Sequence, residues 1–211
     1  DAFKHSVKKN YGWTKYGIRI VNSSEGMPIR HGDTAIRFEL RYDDCGFLYK
    51  NGKERDCIRP TPHHRVELGQ GHNKDLSLGF KHKQDYWYTA SFYFPKEHKF
   101  YRKQSVFQFH SSEGPYHPPF HLEIFPKDGL MAKISTSEGV YADKENACGG
   151  SVKQTVNYCE KAELTYLIMN PDELENSLGK WTDLVIHAVW DKRPTDDKKN
   201  KGMIELFING K

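Results

Sequence analysis

Asp85-Tyr86-Trp87-Tyr88-Thr89-Ala90-Ser91-Phe92-Tyr93-Phe94 sets Tyr86, Tyr88, Ala90, Phe92 and Phe94 on one side of an extended chain and Trp87, Thr89, Ser91 and Tyr93 on the other. A period of two with one apolar side is the signature of a strand with one buried face. The alternation recurs at Ile36, Phe38, Leu40 and Tyr42 against Arg37, Glu39 and Arg41. Further strands are expected over Phe120–Phe125, 130–135, 182–190 and Met203–Ile208, with turn material such as Pro126-Lys127-Asp128-Gly129 and Asn209-Gly210 between them. Only Pro171–Asn176 reads as helix, with Asn170 as its cap and Pro171 at its first position. The expected fold is therefore all-β: an antiparallel two-sheet sandwich with little helix.

A chain of 211 residues suits a single such domain. Its apolar material is concentrated in rings, with 12 Phe and 12 Tyr, and rings favour strands. The net charge of +4 leaves 32 basic residues nearly balanced by 28 acidic ones. This favours a polyanion over a polycation and does not by itself imply nucleic acid or a membrane. No apolar run is long enough to span a bilayer, and no internal repeat is visible. The charged stretch 191–201 reads as a solvated loop, and 43–62 as a long loop of the kind that shapes a cleft at a sandwich rim.

Cys45 lies near Cys57, and Cys148 near Cys159. Two local disulfides are the simplest reading, with free thiols as the competitor; four cysteines allow three pairings, and the short CxxC spacing of structural zinc is missing. Disulfides point to an oxidising compartment. The start, Asp1-Ala2-Phe3, carries no leader h-region, as in a mature secreted chain. A secreted or periplasmic location is the expectation. Asn22-Ser23-Ser24 fits a glycosylation acceptor.

The chemistry-bearing residues cluster on strands. In Val106-Phe107-Gln108-Phe109-His110, the amide and the imidazole share one face and the phenyl rings the other. In His64-Arg65-Val66-Glu67-Leu68, Arg65 and Glu67 face away from Val66 and Leu68. His121 and Glu123 alternate against Phe120, Leu122 and Ile124. Strands with this habit, laid side by side, make a polar surface suited to a sugar acid.

In these pieces the chain resembles the β-jelly-roll polysaccharide lyases, above all the heparin lyase I-like and glucuronan lyase group, with the alginate lyases of the same fold as cousins. The matching segments are His64-Arg65-Val66-Glu67-Leu68, the strand from Asp85 to Pro95, Val106-Phe107-Gln108-Phe109-His110, Gly179-Lys180-Trp181-Thr182-Asp183 and Phe207-Ile208-Asn209-Gly210-Lys211. They follow the family's order from Ile36 to the C-terminus. The resemblance implies a jelly-roll catalytic domain over 1–211 that cleaves an anionic, uronic-acid polysaccharide by β-elimination. Gln108 and Arg65 would neutralise the uronate carboxylate, His110 or, second, His64 would remove the C5 proton, and Glu67, His121, Glu123, Trp87 and Tyr93 would line the substrate site. Glu67 also reads as a partner that orients Arg65. No cofactor is expected; a structural calcium is the one ion the resemblance allows. Relatives continue beyond the Asn-Gly-Lys turn into strands that carry a catalytic tyrosine. That role falls either beyond Lys211 or to one of Tyr116, Tyr141, Tyr158 and Tyr166.

Two other functions compete. A binding module or lectin on the same sandwich would use Trp87, Tyr93 and Trp181 as stacking platforms and need no base. A glycoside hydrolase would need paired carboxylates flanking the bond, and Asp172, Glu173 and Glu175 fall in the expected helix instead. The association of Gln, His and Arg favours the lyase. Oligomeric state is not legible.

Overall fold

The computed structural model describes residues 16–41, 44, 64, 66, 81, 83–109, 119–135, 163–191, 198–199 and 201–211. The chain divides into two compact units, Asp1–Gly79 and Phe80–Lys211, each taken by itself below.

In the first unit, β1 (Ile18–Asn22) pairs antiparallel with β2 (Thr34–Phe38), in the register Ile18 to Phe38 through Asn22 to Thr34. The strand expected to run to Tyr42 ends at Phe38. Just beyond it the Arg41 amide donates to Asp44 Oδ2 at 2.7 Å, so a side chain takes a donor that a longer ladder would have used. The burial of this strand also departs from expectation: Phe38 is 48% and Leu40 42% exposed. The charged side is instead packed on itself. Glu39 pairs with both Arg37 and Arg41, and the Arg41 guanidinium lies 3.7 Å from the Tyr16 ring centroid.

The second unit is an antiparallel sandwich, as the alternation predicts. Strands β4 (Gln104–Phe109), β5 (Phe120–Phe125), β6 (Gly129–Ser135) and β7 (Glu163–Met169) form one sheet in sequence order. The other sheet is β3 (Asp85–Tyr93), β8 (Trp181–Val189) and β9 (Met203–Ile208), in that order. Every pairing is antiparallel. The inner faces meet in one core, where Phe120, Leu122, Ile124 and Leu130 of one sheet and Leu184 and Ile186 of the other are all but fully buried. Each such side chain contributes about 1.5–3 kcal/mol of burial free energy. A ring set bridges the sheets: Tyr88 and Phe109 centroids are 4.6 Å apart, Phe109 and Trp190 5.1 Å, and Trp190 Nε1 donates to Tyr88 Oη at 2.8 Å. Burial pushes the Tyr88 phenol above its usual pKa.

Two local devices aim the site. A bulge between Ser105 and Phe107 in β4 re-phases the strand, so that Phe107 and Phe109 lie opposite core residues Leu122 and Phe120 while Gln108 lies opposite His121. At the β5–β6 turn Gly129 has φ +102°, and a Cβ there would stand 2.1 Å from the Met169 carbonyl oxygen. Glycine is what lets the turn lie against the end of β7.

The expected helix, α1 (Pro171–Asn176), is present. Asn170 accepts from the Glu173 amide at 2.9 Å, and Glu173 reaches back to the Asn170 amide at 2.9 Å, a reciprocal cap.

Candidate functional site

Alternation in β5 turns Leu122 and Ile124 inward and sends His121 and Glu123 to the other side of the four-stranded sheet. Pairing extends that polar side into a row, Gln108–His121–Lys133–Thr165, running across β4, β5, β6 and β7. The neighbouring row places Glu123 between Ser105 and Met131. Gln108, His121 and Glu123, singled out in the sequence, are thus brought onto one face.

Glu123 is 4% exposed, which a carboxylate tolerates only when cations attend it. Lys103 Nζ lies 2.8 Å from Oε1, Lys133 Nζ 3.7 Å from Oε2 and His121 Nδ1 3.7 Å from Oε1. Both ammonium groups also sit over Phe125, at 5.3 and 5.5 Å from its centroid, within cation–π range. One carboxylate thus meets two lysines beside the exposed Gln108 amide. Such a surface attracts an anionic polymer and offers it a hydrogen-bond donor.

Lys103 was not anticipated, because it precedes β4 in a segment without periodicity. For Lys133, alternation against Ala132 and Ile134 is the signal that places it on this face.

Trp87 and Tyr93 are placed elsewhere. Both project from the outward side of β3 in the three-stranded sheet, across the core from Gln108. There Trp87 stacks on His187 at 4.0 Å and 6°, and Tyr93 packs on Trp181 at 5.5 Å. His187 accounts for both its ring nitrogens with carboxylates on flanking strands: Nε2 to Asp85 at 2.8 Å and Nδ1 to Glu205 at 2.6 Å. The Glu205 bond, aided by Asp85, raises the His187 pKa above its ordinary value.

His64 belongs to the first unit. Its Nδ1 meets the Asp44 carbonyl oxygen at 2.8 Å, so Nδ1 is the donor in that contact. The Asp44 carboxylate is itself held by Tyr16 Oη at 2.6 Å, which, with the Arg41 amide, lowers its pKa. His110, Arg65, Glu67, Cys45, Cys57, Cys148, Cys159, Tyr116, Tyr141 and Tyr158 lie outside the described residues. Tyr166 is half exposed on β7, opposite Ala132. Among the described residues no group of three or more His, Cys, Asp or Glu side chains is placed to hold a metal ion, and no helix is long and apolar enough to cross a membrane.

Searches of curated proteins and of solved structures return no match. The family model described as "Polysaccharide lyase" matches residues 19–211, which takes in nearly all of β1 and every later strand. With a polar, positively biased sheet face on an antiparallel sandwich, and a family match over most of its length, the chain belongs to the polysaccharide lyase family.

Proposed function

We propose that the protein cleaves a uronic-acid-containing polysaccharide by β-elimination, with the polar face of the four-stranded sheet as the floor of its site. The observation that carries this reading is the row Gln108–His121–Lys133 beside the Glu123 cluster. The C5 proton of a uronate is weakly acidic until charge on the neighbouring carboxylate is neutralised. Donors aimed there, from Gln108 and Arg65, stabilise the enolate-like transition state. A base removes the C5 proton, the C–H electron pair forms the C4–C5 double bond, and the C4–O4 bond breaks. An acid then protonates the leaving O4.

His110 is the base in this proposal, because it follows Gln108 by two residues and so shares its side of an extended chain. His64 is the alternative, its ring oriented by the Asp44 carbonyl oxygen at Nδ1. Glu67 orients Arg65. A polymer of this size is met outside the cytoplasmic membrane, so the reading includes a secreted or periplasmic location. No cofactor takes part in the proposed steps.

The test is ultraviolet absorbance over time on glucuronan, alginate, ulvan and heparin, since elimination creates a conjugated double bond and hydrolysis does not. A rise on one polymer is expected and names the substrate. Binding to one of them without any rise would overturn the eliminase in favour of a binding module.

A further inference from the structure

We propose that the outward face of the three-stranded sheet, centred on Trp87, binds a neutral β-linked glycan at a site separate from the polar face of the four-stranded sheet.

The charge of this face is the first argument. The outward positions are Asp85, Trp87, Thr89, Ser91 and Tyr93 on β3, Trp181, Asp183, Val185, His187 and Val189 on β8, and Met203, Glu205 and Phe207 on β9, with none of them Lys or Arg. In a chain with 32 Lys and Arg that omission is selective. The cation present, His187, is already matched by Asp85 and Glu205, and Asp183 accepts from Ser91 Oγ at 2.7 Å. A polyuronate is repelled here. A second copy of the same face is repelled too, since like charges would meet. A neutral ligand is not.

Preorganisation is the second argument. Trp87 is 61% exposed, yet its indole is fixed by parallel stacking on an imidazole that two flanking strands hold at both nitrogens. Phe207 lies nearly parallel, 6.4 Å away at 18°. A ring held this way loses little freedom on binding, and its exposure leaves indole surface open to a ligand. A β-linked gluco- or mannopyranose has an apolar face of axial C–H groups that suits an indole. Its equatorial hydroxyls suit carboxylate acceptors, and the Asp85 and Glu205 side chains, 61% and 50% exposed, belong to the same outward face. Along β3 the Tyr93–Trp181 pair lies six residues from Trp87, about 20 Å in an extended chain, which is the length of a short oligosaccharide.

The experiment is native electrophoresis of the full chain in gels containing hydroxyethylcellulose or glucomannan, for the wild type, Trp87→Ala and Trp87→Phe. Retardation of the wild type is expected, with an affinity loss of roughly tenfold or more in Trp87→Ala, as for a central aromatic anchor, and a smaller loss in Trp87→Phe. Trp87→Phe keeps a ring on the sheet, so the test stands even where Trp87→Ala fails to fold. An unretarded wild type would overturn the proposal, as would equal retardation of Trp87→Ala or a Trp87-dependent dimer in sedimentation. No polyuronate enters these gels, so failure here and failure of the eliminase reading are separate results.

Discussion

Replacing Glu123 by Gln separates two effects of one buried carboxylate. The side chain keeps its shape, at 4% exposure, and loses the charge that faces Lys103 at 2.8 Å and Lys133 and His121 at 3.7 Å. A hydrogen bond to a charged group contributes about 1.5–3 kcal/mol, and breaking a fully buried pair costs about 3–5 kcal/mol. Lys103 is 53% exposed and rehydrates when the carboxylate goes, while Lys133 and His121, at 21% and 20%, rehydrate less. The expected loss is therefore about 2 kcal/mol, below the fully buried case. With a urea m-value of about 2 kcal/mol/M, the unfolding midpoint falls by about 1 M. At the same time the face loses one negative charge, so under the proposed function KM for a polyuronate falls although the protein is less stable. Opposite signs in the two assays are the signature. An unchanged midpoint, or a KM that rises with the loss of stability, would refute the assignment of Glu123 as the counter-charge of this face.

Gly129→Ala should cost about 1–3 kcal/mol from its positive φ alone, and more because the Met169 carbonyl oxygen occupies the space of the new methyl; denaturant unfolding measures it. Because His187 has a folded pKa raised above 6.5, its clamp is fully present below pH 6.5 and is lost as pH rises through that raised value; the melting temperature should decline over this window in the wild type, and the decline should be absent in His187→Gln. Gln108→Ala should lower kcat by about a hundredfold or more, the scale of a lost transition-state donor, while circular dichroism stays unchanged because the side chain is exposed on the sheet.

The sandwich was legible because large rings and aliphatics alternate strictly in β3, β5 and β8, and a buried face allows only one phase. The same rule misjudged Ile36, Phe38 and Leu40, since a period of two gives the two sides of a strand and not which of them is covered. In β2 the charges pair with each other, and the apolar side is left exposed. For the site, alternation placed Gln108, His121 and Glu123 together. It carried no information on which sheet Trp87 would join, because a side chain's parity is local while sheet membership depends on pairing across the whole unit. His187 was hidden for a related reason. Flanked by Ile186 and Ala188, it reads as an ordinary outward residue until β3 and β9 bring carboxylates to both its nitrogens.

The two outward faces differ in charge while sharing one core, and salt tells them apart. Under the proposed function a polyanion is drawn to the four-stranded sheet by lysines that are partly solvent-exposed, so the attraction is screened over a Debye length of about 10 Å at 0.1 M and about 3 Å at 1 M. Raising ionic strength across that range should increase KM for the polyuronate several-fold, with a smaller change in kcat because the donors that act in the transition state lie in contact with the substrate. Stacking on Trp87 involves no net charge on the ligand, so affinity for a neutral glycan should hold over the same range. A KM that ignores salt would mean that the cations around Glu123 do not steer the substrate.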